Sequence, residues 1–455
     1  MGSTSSEVLI LGGGFAGLSC GVRLAASGLR VTLLEKKPRL GGRAYSFLDR
    51  ESRHPVDNGQ HLFMGCYRHT RSFLAAIGTE GLLRFSGKVR VDFADSEGGR
   101  DALRCPSSLG SPWHLAWGVL GMGLSLGDKL GLVRLARELR GLRRRGIPPE
   151  LDRLSVRQWL EGLGQSRPIQ ERLLDPIALG ALNEDPRIAA ATGLAQALLE
   201  MFFRDAEGSR LGLSCVGLSQ LYPEAARKYI EERGGRILTS KRIKAIYEAK
   251  GRVGGAVTES GESFASDSVV STLPPWDLSR LDLPQALRGP WRDLMPSPIV
   301  SLCLWLDRPV LEEPLVGLIG TEVQWVFNKS LILGLGDAQG QYLSLVISGA
   351  RRHLGWSPAA LRELAQRDLS RCFPVFKKAR ILRWKVVKEP FATLSPAPGS
   401  DRLRPAPGTG MPGLLLAGDW TRTGLPATIE SAVLSGHRAA ELVLAQEDHT
   451  RRPHA

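Results

Sequence analysis

The chain has 455 residues, about three times a typical domain, which excludes peptides, single small modules and disulfide-held miniproteins. Hydrophobic types make up 43% and charged types 23%, close to the soluble globular average, so disordered, collagen-like and multispanning membrane proteins are excluded as well. Lysine and arginine outnumber aspartate and glutamate by 60 to 46, a net charge of +14 that favours anionic partners such as acidic lipid headgroups or phosphorylated ligands. No zinc-finger spacing, RNP signature or basic zipper accompanies it, so nucleic acid is not an expected partner.

Six cysteines (Cys20, Cys66, Cys105, Cys215, Cys303, Cys372) lie far apart without a CxxC pair, and the N-terminus lacks a basic region followed by an apolar stretch and cleavage site. Both point to the reducing cytoplasm. The histidines form neither HExxH nor HxH, so no metal is expected. The longest apolar stretch, Leu109 to Leu126, contains Pro112, His114 and several glycines and falls short of a spanning helix.

In chain order, Val8-Leu9-Ile10-Leu11 is an aliphatic run of strand length that ends directly in glycines and reads as a buried parallel strand. From Ala16 to Ser27, Leu18, Val22, Leu24 and Ala25 recur at helical spacing, and Gly28 follows as a natural stop. Val31 to Leu34 is the second strand of a right-handed βαβ unit. Residues 75–204 read as mostly helical, with Leu130, Val133, Leu135, Leu139 and Leu142 on one side and the arginines from Arg134 to Arg145 on the other. Arg236–Leu238, Ile243–Ala249, Arg252–Thr258 and Ser268–Thr272 predict a small antiparallel meander ending in a core strand. Beyond residue 276 strand-like runs (Val300–Leu306, Val323–Phe327, Leu331–Leu335, Tyr342–Ile347) mix with helical ones. Ser395 to Gly413 is rich in proline and glycine and reads as a surface crossing. Leu414 to Asp419 is a final buried strand, followed by a helix over residues 428–444.

Gly12-Gly13-Gly14-Phe15-Ala16-Gly17 satisfies GxGxxG between a strand and a helix. Gly12 permits the tight turn, Gly14 the approach of backbone to a pyrophosphate, and Gly17 close packing of helix on strand, while the helix N-terminus offers free N–H groups. Glu35, at the end of the second strand, can accept hydrogen bonds from both ribose hydroxyls and repels a 2′-phosphate. FAD or NAD is therefore favoured over NADP. Leu40-Gly41-Gly42-Arg43 follows at once; its glycines let a long ligand pass and Arg43 can meet a phosphate or flavin carbonyl, which favours FAD. Gly334-Leu335-Gly336 lacks a third glycine and a helix behind it, so no second nucleotide site is expected and electrons should come from an external donor or reductase.

From Val8 to Arg43 the sequence resembles the flavin-containing amine oxidase and phytoene desaturase superfamily, as do Leu416-Ala417-Gly418-Asp419-Trp420 and Thr428-Ile429-Glu430-Ser431-Ala432. The string Val56-Asp57-Asn58-Gly59-Gln60-His61 resembles the hydroxysqualene dehydroxylase family, together with Ala181-Leu182-Asn183, Gln324-Trp325-Val326-Phe327 and the run from Asp419 to Thr428. The resemblance implies an α/β fold: a Rossmann-type FAD-binding domain assembled from discontinuous segments (1–75, 205–275 and 410–447). A mixed α+β substrate domain (76–204 and 276–409) would include a membrane-facing helical part. It implies FAD contacts from Gly12, Gly14, Phe15, Ala16, Gly17, Glu35, Lys36, Gly42 and Arg43, from Asn58, Gly59, Gln60 and His61, from Ile243, and from Gly418, Asp419, Ala427, Thr428 and Ile429. Two positions depart from the family pattern, Asn328 and Arg422 standing where acidic residues are expected.

The implied reaction replaces the hydroxyl of hydroxysqualene by hydrogen to give squalene, for hopanoid synthesis. Such a site must be dry, since water would recapture an allylic cation, and needs a proton donor and aromatic faces. His61 is the expected acid, with Asp57 orienting its loop and Trp325 beside the reacting carbons; Phe327, Trp420, Phe63 and Tyr67 complete the aromatic candidates. The isoprenoid lipid substrate implies peripheral contact with the inner face of the cytoplasmic membrane, through Trp113, Leu115, Trp117, Val119, Leu120, Met122 and Leu124 beside the Arg134–Arg145 face. The alternatives are a carotenoid-type desaturase or an amine oxidase on the same frame, or a non-catalytic prenyl carrier.

Overall fold

A computed structural model describes residues 7–87, 89–106, 113–204, 207–336 and 340–451. The start of the apolar stretch, Leu109 to Pro112, and the beginning of the 205–275 segment lie outside the described residues.

Glu7–Leu11, Arg30–Leu34, Arg236–Leu238, Val269–Ser271 and Leu414–Leu416 form one sheet, all parallel, with Glu7–Leu11 in its middle between Arg30–Leu34 and Val269–Ser271. A parallel sheet needs cover on both faces, and the side-chain alternation provides for it. Val8, Ile10, Val31 and Leu33 point toward the helix Phe15–Ala26, the helix Pro223–Glu231 and the C-terminal helix Ile429–Arg451. Leu9, Leu11, Leu34, Leu414 and Leu416 point the other way, onto an antiparallel meander of Ile243–Ala249, Arg252–Thr258 and Ser263–Ala265. The meander thus differs from the sequence expectation at both ends. Arg236–Leu238 leaves it to extend the main sheet beside Arg30–Leu34, and Ser263–Ala265 supplies its third strand.

A second, seven-stranded sheet runs in the order Ile381–Leu394, Pro296–Leu306, Gln341–Ser348, Trp325–Asn328, Leu315–Ile319, Val89–Asp95, Arg100–Cys105. It corrects the reading of residues 75–204 as mostly helical, because Leu83–Phe85, Val89–Asp95 and Arg100–Cys105 are strands. Val89–Asp95 is held by a parallel partner, Leu315–Ile319, more than two hundred residues away, a pairing that local periodicity cannot reveal. Leu331–Leu335 is also corrected. Asn328 accepts a hydrogen bond from Leu331 N (3.1 Å) and starts a short helix, Lys329–Leu333, which Gly334 ends in the left-handed region at φ 65°.

The helix Leu126–Arg145 opens with a capping box between Ser125 and Asp128 and ends on Arg143, Arg144 and Arg145, in accord with its dipole. Leu135, Leu139 and Leu142 are buried against the helical layer that includes Ala191–Phe202. Leu130 and Val133, expected on that same side, are instead exposed to 67% and 43%.

Candidate functional site

The loops at the C-terminal ends of the parallel strands converge, as they do at ligand sites of open α/β sheets. Gly12 has φ +110°, and a side chain at Gly17 would strike the Gly12 carbonyl, so the first strand turns sharply into a helix packed tightly upon it. Gly14 caps that helix without a side-chain acceptor, and no acid lies in the first turn, which leaves its N–H groups available to an anion. Phe15 and Ala16, at its start, are buried. Buried Glu35 accepts from Gly13 N and Lys37 N, each at 2.8 Å.

The Gly41-Gly42 loop closes directly on this turn: a Cβ on Gly42 would lie 3.0 Å from the Gly14 Cα, and Gly42 has φ +55°. The buried Tyr222 hydroxyl bonds the carbonyls of Gly41 (2.8 Å) and Ala44 (2.9 Å), while its ring stacks on Phe15 at 3.7 Å. Arg43 forms an ion pair with Asp419, joining segments nearly four hundred residues apart. Asn58 donates to Arg43 O (2.9 Å) and Glu389 (3.1 Å) and accepts from Tyr45 N (3.0 Å). Gly418 has φ +133°, and the Asp419 carbonyl accepts from buried Arg404 and from Ser431. Ala427, Thr428 and Ile429 lead into the C-terminal helix.

Gly12, Gly14, Gly17, Glu35, Gly42, Arg43, Asn58, Gly418 and Asp419 are thereby brought together. Two expected contacts stand somewhat apart. Lys36 is paired with Asp277, and Ile243 lies in the cluster beneath the sheet with Leu34 and Trp420. The lining suits a flavin dinucleotide: two glycine turns face each other, a helix N-terminus is free, and Arg39, stacked over Tyr45 at 3.3 Å, keeps a buried Nη1 without a partner. Arg39 and Lys37 escaped the sequence reading, although two cations between a ribose-binding acid and a glycine pair were the available signal.

The Asp57–His61 segment hangs from a buried ion pair. Asp57 accepts from Leu218 N (3.1 Å) and from Lys329 Nζ (2.8 Å), and Lys329 also donates to Gln60 (3.0 Å). Lys329 is 1% exposed; a lone lysine in the apolar run Trp325 to Leu333 was the sign of it. His61 Nδ1 donates to Gly59 O at 2.8 Å. Burial lowers the pKa of this imidazole, with Asp57 opposing, so at neutral pH Nε2 is a bare acceptor.

Beside this groove lies a cavity of about 470 Å³, within the usual range of small-molecule sites, about 300–1,000 Å³. Its wall is mainly apolar and aromatic, with Leu62, Met64, Val91, Phe93, Leu103, Ile177, Phe202 and Trp325, and Tyr67 with Thr428 at the end nearest the C-terminal helix start. Of the residues expected to carry chemistry, Trp325 lines it; Asp57 and His61 lie outside the wall. Of the other aromatic candidates only Tyr67 lines it. Phe63 is sealed in the core beneath, Phe327 packs behind the wall, and Trp420 packs on Trp291 under the sheet. The cavity's carboxylates among the described residues are engaged: Glu200 pairs with Arg204 (3.0 Å), and Glu430 accepts from His69 N, Thr70 N and Thr70 Oγ1 at 2.7–2.9 Å.

One of the two departures from the family pattern, Asn328, has a structural explanation, and nothing in the structure explains the other, Arg422. Asn328 caps its helix and donates to Leu311 O at 2.8 Å, a bond aspartate could not make. Arg422 is exposed.

The sequence model of flavin containing amine oxidoreductases matches residues 15–444. The hydroxysqualene dehydroxylase of Sinorhizobium fredii is 31% identical over 451 residues, covering 97% of this chain and 99% of that protein. The 15-cis-phytoene desaturase of Synechococcus elongatus is 24% identical, covering 98% and 97%. Among solved structures, cyclohexylamine oxidase from Brevibacterium oxydans superposes with a TM-score of 0.73 at 16% identity, covering 98% of this chain and 100% of that one.

Proposed function

Since this chain belongs to the flavin containing amine oxidoreductases, and within them to the hydroxysqualene dehydroxylase family, we propose that it replaces the hydroxyl of hydroxysqualene by hydrogen to give squalene. It is an FAD-dependent oxidoreductase. Bound and reduced, FAD supplies a hydride to the substrate carbon. Gly14, Gly42, Arg39 and the free helix N-terminus would hold its pyrophosphate, and Glu35 its ribose.

The observation that carries the reading is the character of the cavity. An apolar, aromatic wall receives a long hydrocarbon and excludes the water that would trap an allylic cation. Trp325 lines it, and among the described residues its indole N–H is a buried donor without a partner, the kind of group that a substrate hydroxyl satisfies. A cationic amine would want an unpaired carboxylate, whereas Glu200 and Glu430 are both engaged, which favours an alcohol over an amine.

The substrate's insolubility calls for a lipid surface, and two helices offer one. No helix among the described residues is long and apolar enough to cross a membrane. Instead, Trp113, Trp117 and Leu120 form an exposed i, i+4, i+7 stripe on the helix Trp113–Leu120, and Leu126, Leu130 and Val133 a second on Leu126–Arg145. Arginines and Lys129 rim the second helix, which suits anionic headgroups. Met122 and Leu124, expected on this face, are buried. The first helix packs on Arg100–Cys105, Gly118 lying against Leu103 and Cys105, and Leu103 also lines the cavity. The membrane face and the substrate cavity therefore share a strand. Reducing equivalents come from a separate donor in this reading, supported by Gly334 serving as a helix terminator.

Anaerobic incubation of the chemically reduced holoenzyme with hydroxysqualene, and of the oxidised holoenzyme with phytoene and with a polyamine, followed by mass spectrometry, tests the reading. Squalene from the first substrate alone is expected; a desaturated carotenoid or an aldehyde with no squalene would overturn it.

A further inference from the structure

We propose that Tyr67 is the proton donor to the departing hydroxyl. This rests on the dehydroxylation reading above and adds to it the group that makes the hydroxyl leave. Tyr67 stands where three features meet: it lines the cavity, it precedes the helix Arg68–Ala76, and its hydroxyl bonds Thr428 just before the C-terminal helix. Among the described residues, no other titratable group on the wall is so placed. Glu200 is held by Arg204, and Glu430 spends both oxygens capping the Arg68–Ala76 helix. His61, off the wall, presents a bare Nε2. The remaining proton-bearing rivals are Cys66 and His69, the latter with Nδ1 facing His437 Nδ1 at 3.2 Å.

The chemistry suits a phenol. Burial raises the Tyr67 pKa, so its proton is present across the physiological range. Hydroxide is a far stronger base still, water having a pKa of about 15.7, so transfer becomes favourable as the carbon–oxygen bond breaks. In this step the Tyr67 O–H bond breaks and a new O–H bond forms on the substrate oxygen. The carbon–oxygen pair leaves with that oxygen, giving water, a phenolate and an allylic cation. The cation is then reduced by hydride from reduced flavin, and the phenolate recovers its proton from solvent. Thr428 is suited to the interval: its single proton reaches Pro426 O at 3.3 Å in the resting site and can turn to the phenolate once the phenol proton has gone.

The test compares Tyr67→Phe, which keeps the ring, with wild type in anaerobic single turnovers of the reduced holoenzyme. The substrates are hydroxysqualene and its acetate ester, whose carboxylate leaves without a proton. We expect the variant to lose about 100-fold or more on the alcohol and less than about threefold on the ester, in line with loss of a general acid. Flavin content, and squalene affinity read from the flavin absorbance, should be unchanged. Three results would overturn the proposal: near-wild-type turnover of the alcohol by the variant, equal losses on alcohol and ester, or the loss appearing in His69→Gln or Cys66→Ala instead. If the ester does not enter, the alcohol comparison decides. Should wild type turn over neither substrate, the dehydroxylation reading fails first and takes this proposal with it.

Discussion

At the scale of single residues, two buried groups make the site's stability sensitive to charge. Lys329 and Asp57 form an ion pair almost without exposure, and breaking a buried pair from one side costs about 3–5 kcal/mol because the remaining charge is stranded. Lys329→Met should therefore lower the urea midpoint of the holoenzyme strongly, and Lys329→Met with Asp57→Leu should recover much of the loss; equal loss in single and double variants would show the pair to be inert. His437 works through pH. Burial, with His69 and Arg23 nearby, lowers its pKa from 6.5 to about 4. The unfolded chain thus takes up a proton at this residue before the folded one does. Stability is full above pH 6.5 and falls as the pH drops toward 4, by up to about 3 kcal/mol. Urea titrations at pH 7 and 4.5 should show a smaller acid loss for His437→Gln; an unchanged acid loss would remove His437 as the cause. Residues at this scale were unevenly legible. The glycines and Glu35 announce themselves because their roles are fixed by backbone geometry and spacing. Lys329 and Tyr222 do not, because each acts through a partner distant in sequence.

At the scale of elements, the glycine-bounded strands and first helix were legible because turn chemistry and local period agree. Val89–Asp95 and Arg100–Cys105 were not, since their partners come from residue 315 onward or across a turn. The strand-like run at Leu331 became a helix once its Asn328 cap and Gly334 stop are counted. The same lesson applies to Leu126–Arg145, where the heptad-like leucines divide into a buried stripe and an exposed one. That division is what makes the surface testable. Each large apolar side chain transferred from water is worth about 1.5–3 kcal/mol when fully buried. The triple variant Trp113→Ala, Trp117→Ala, Leu130→Ala should accordingly lose at least tenfold in partitioning onto acidic phospholipid vesicles in flotation, while wild-type binding should weaken with added salt. Flotation unaffected by the three changes would mean that these helices do not meet lipid.

At the scale of the whole molecule, one groove is assembled from the beginning, middle and end of the chain: Gly14 and Gly42, Tyr222 bonded to the Gly41 carbonyl, and Asp419 with the C-terminal helix. The two terminal helices also cross closely, a side chain at Gly436 having no room against the Ala16 carbonyl. The position of the cavity was not legible in the sequence, because its wall is drawn from segments 62–103, 173–211 and 423–438 together with Trp325. A ligand that touches all three chain regions binds only the assembled molecule and stabilises it by mass action, about 4 kcal/mol at a thousand times its dissociation constant. Stripping the flavin should therefore lower the thermal midpoint of the entire protein in one transition, and adding FAD back should restore it. Glu35→Gln, which keeps the side-chain shape but removes the charged acceptor, should shrink that recovery, since hydrogen bonds to charged groups contribute about 1.5–3 kcal/mol. An FAD-induced shift of equal size in wild type and Glu35→Gln would show that the carboxylate does not face the ribose. A wild-type midpoint indifferent to FAD would mean that the three regions do not close on the cofactor at all.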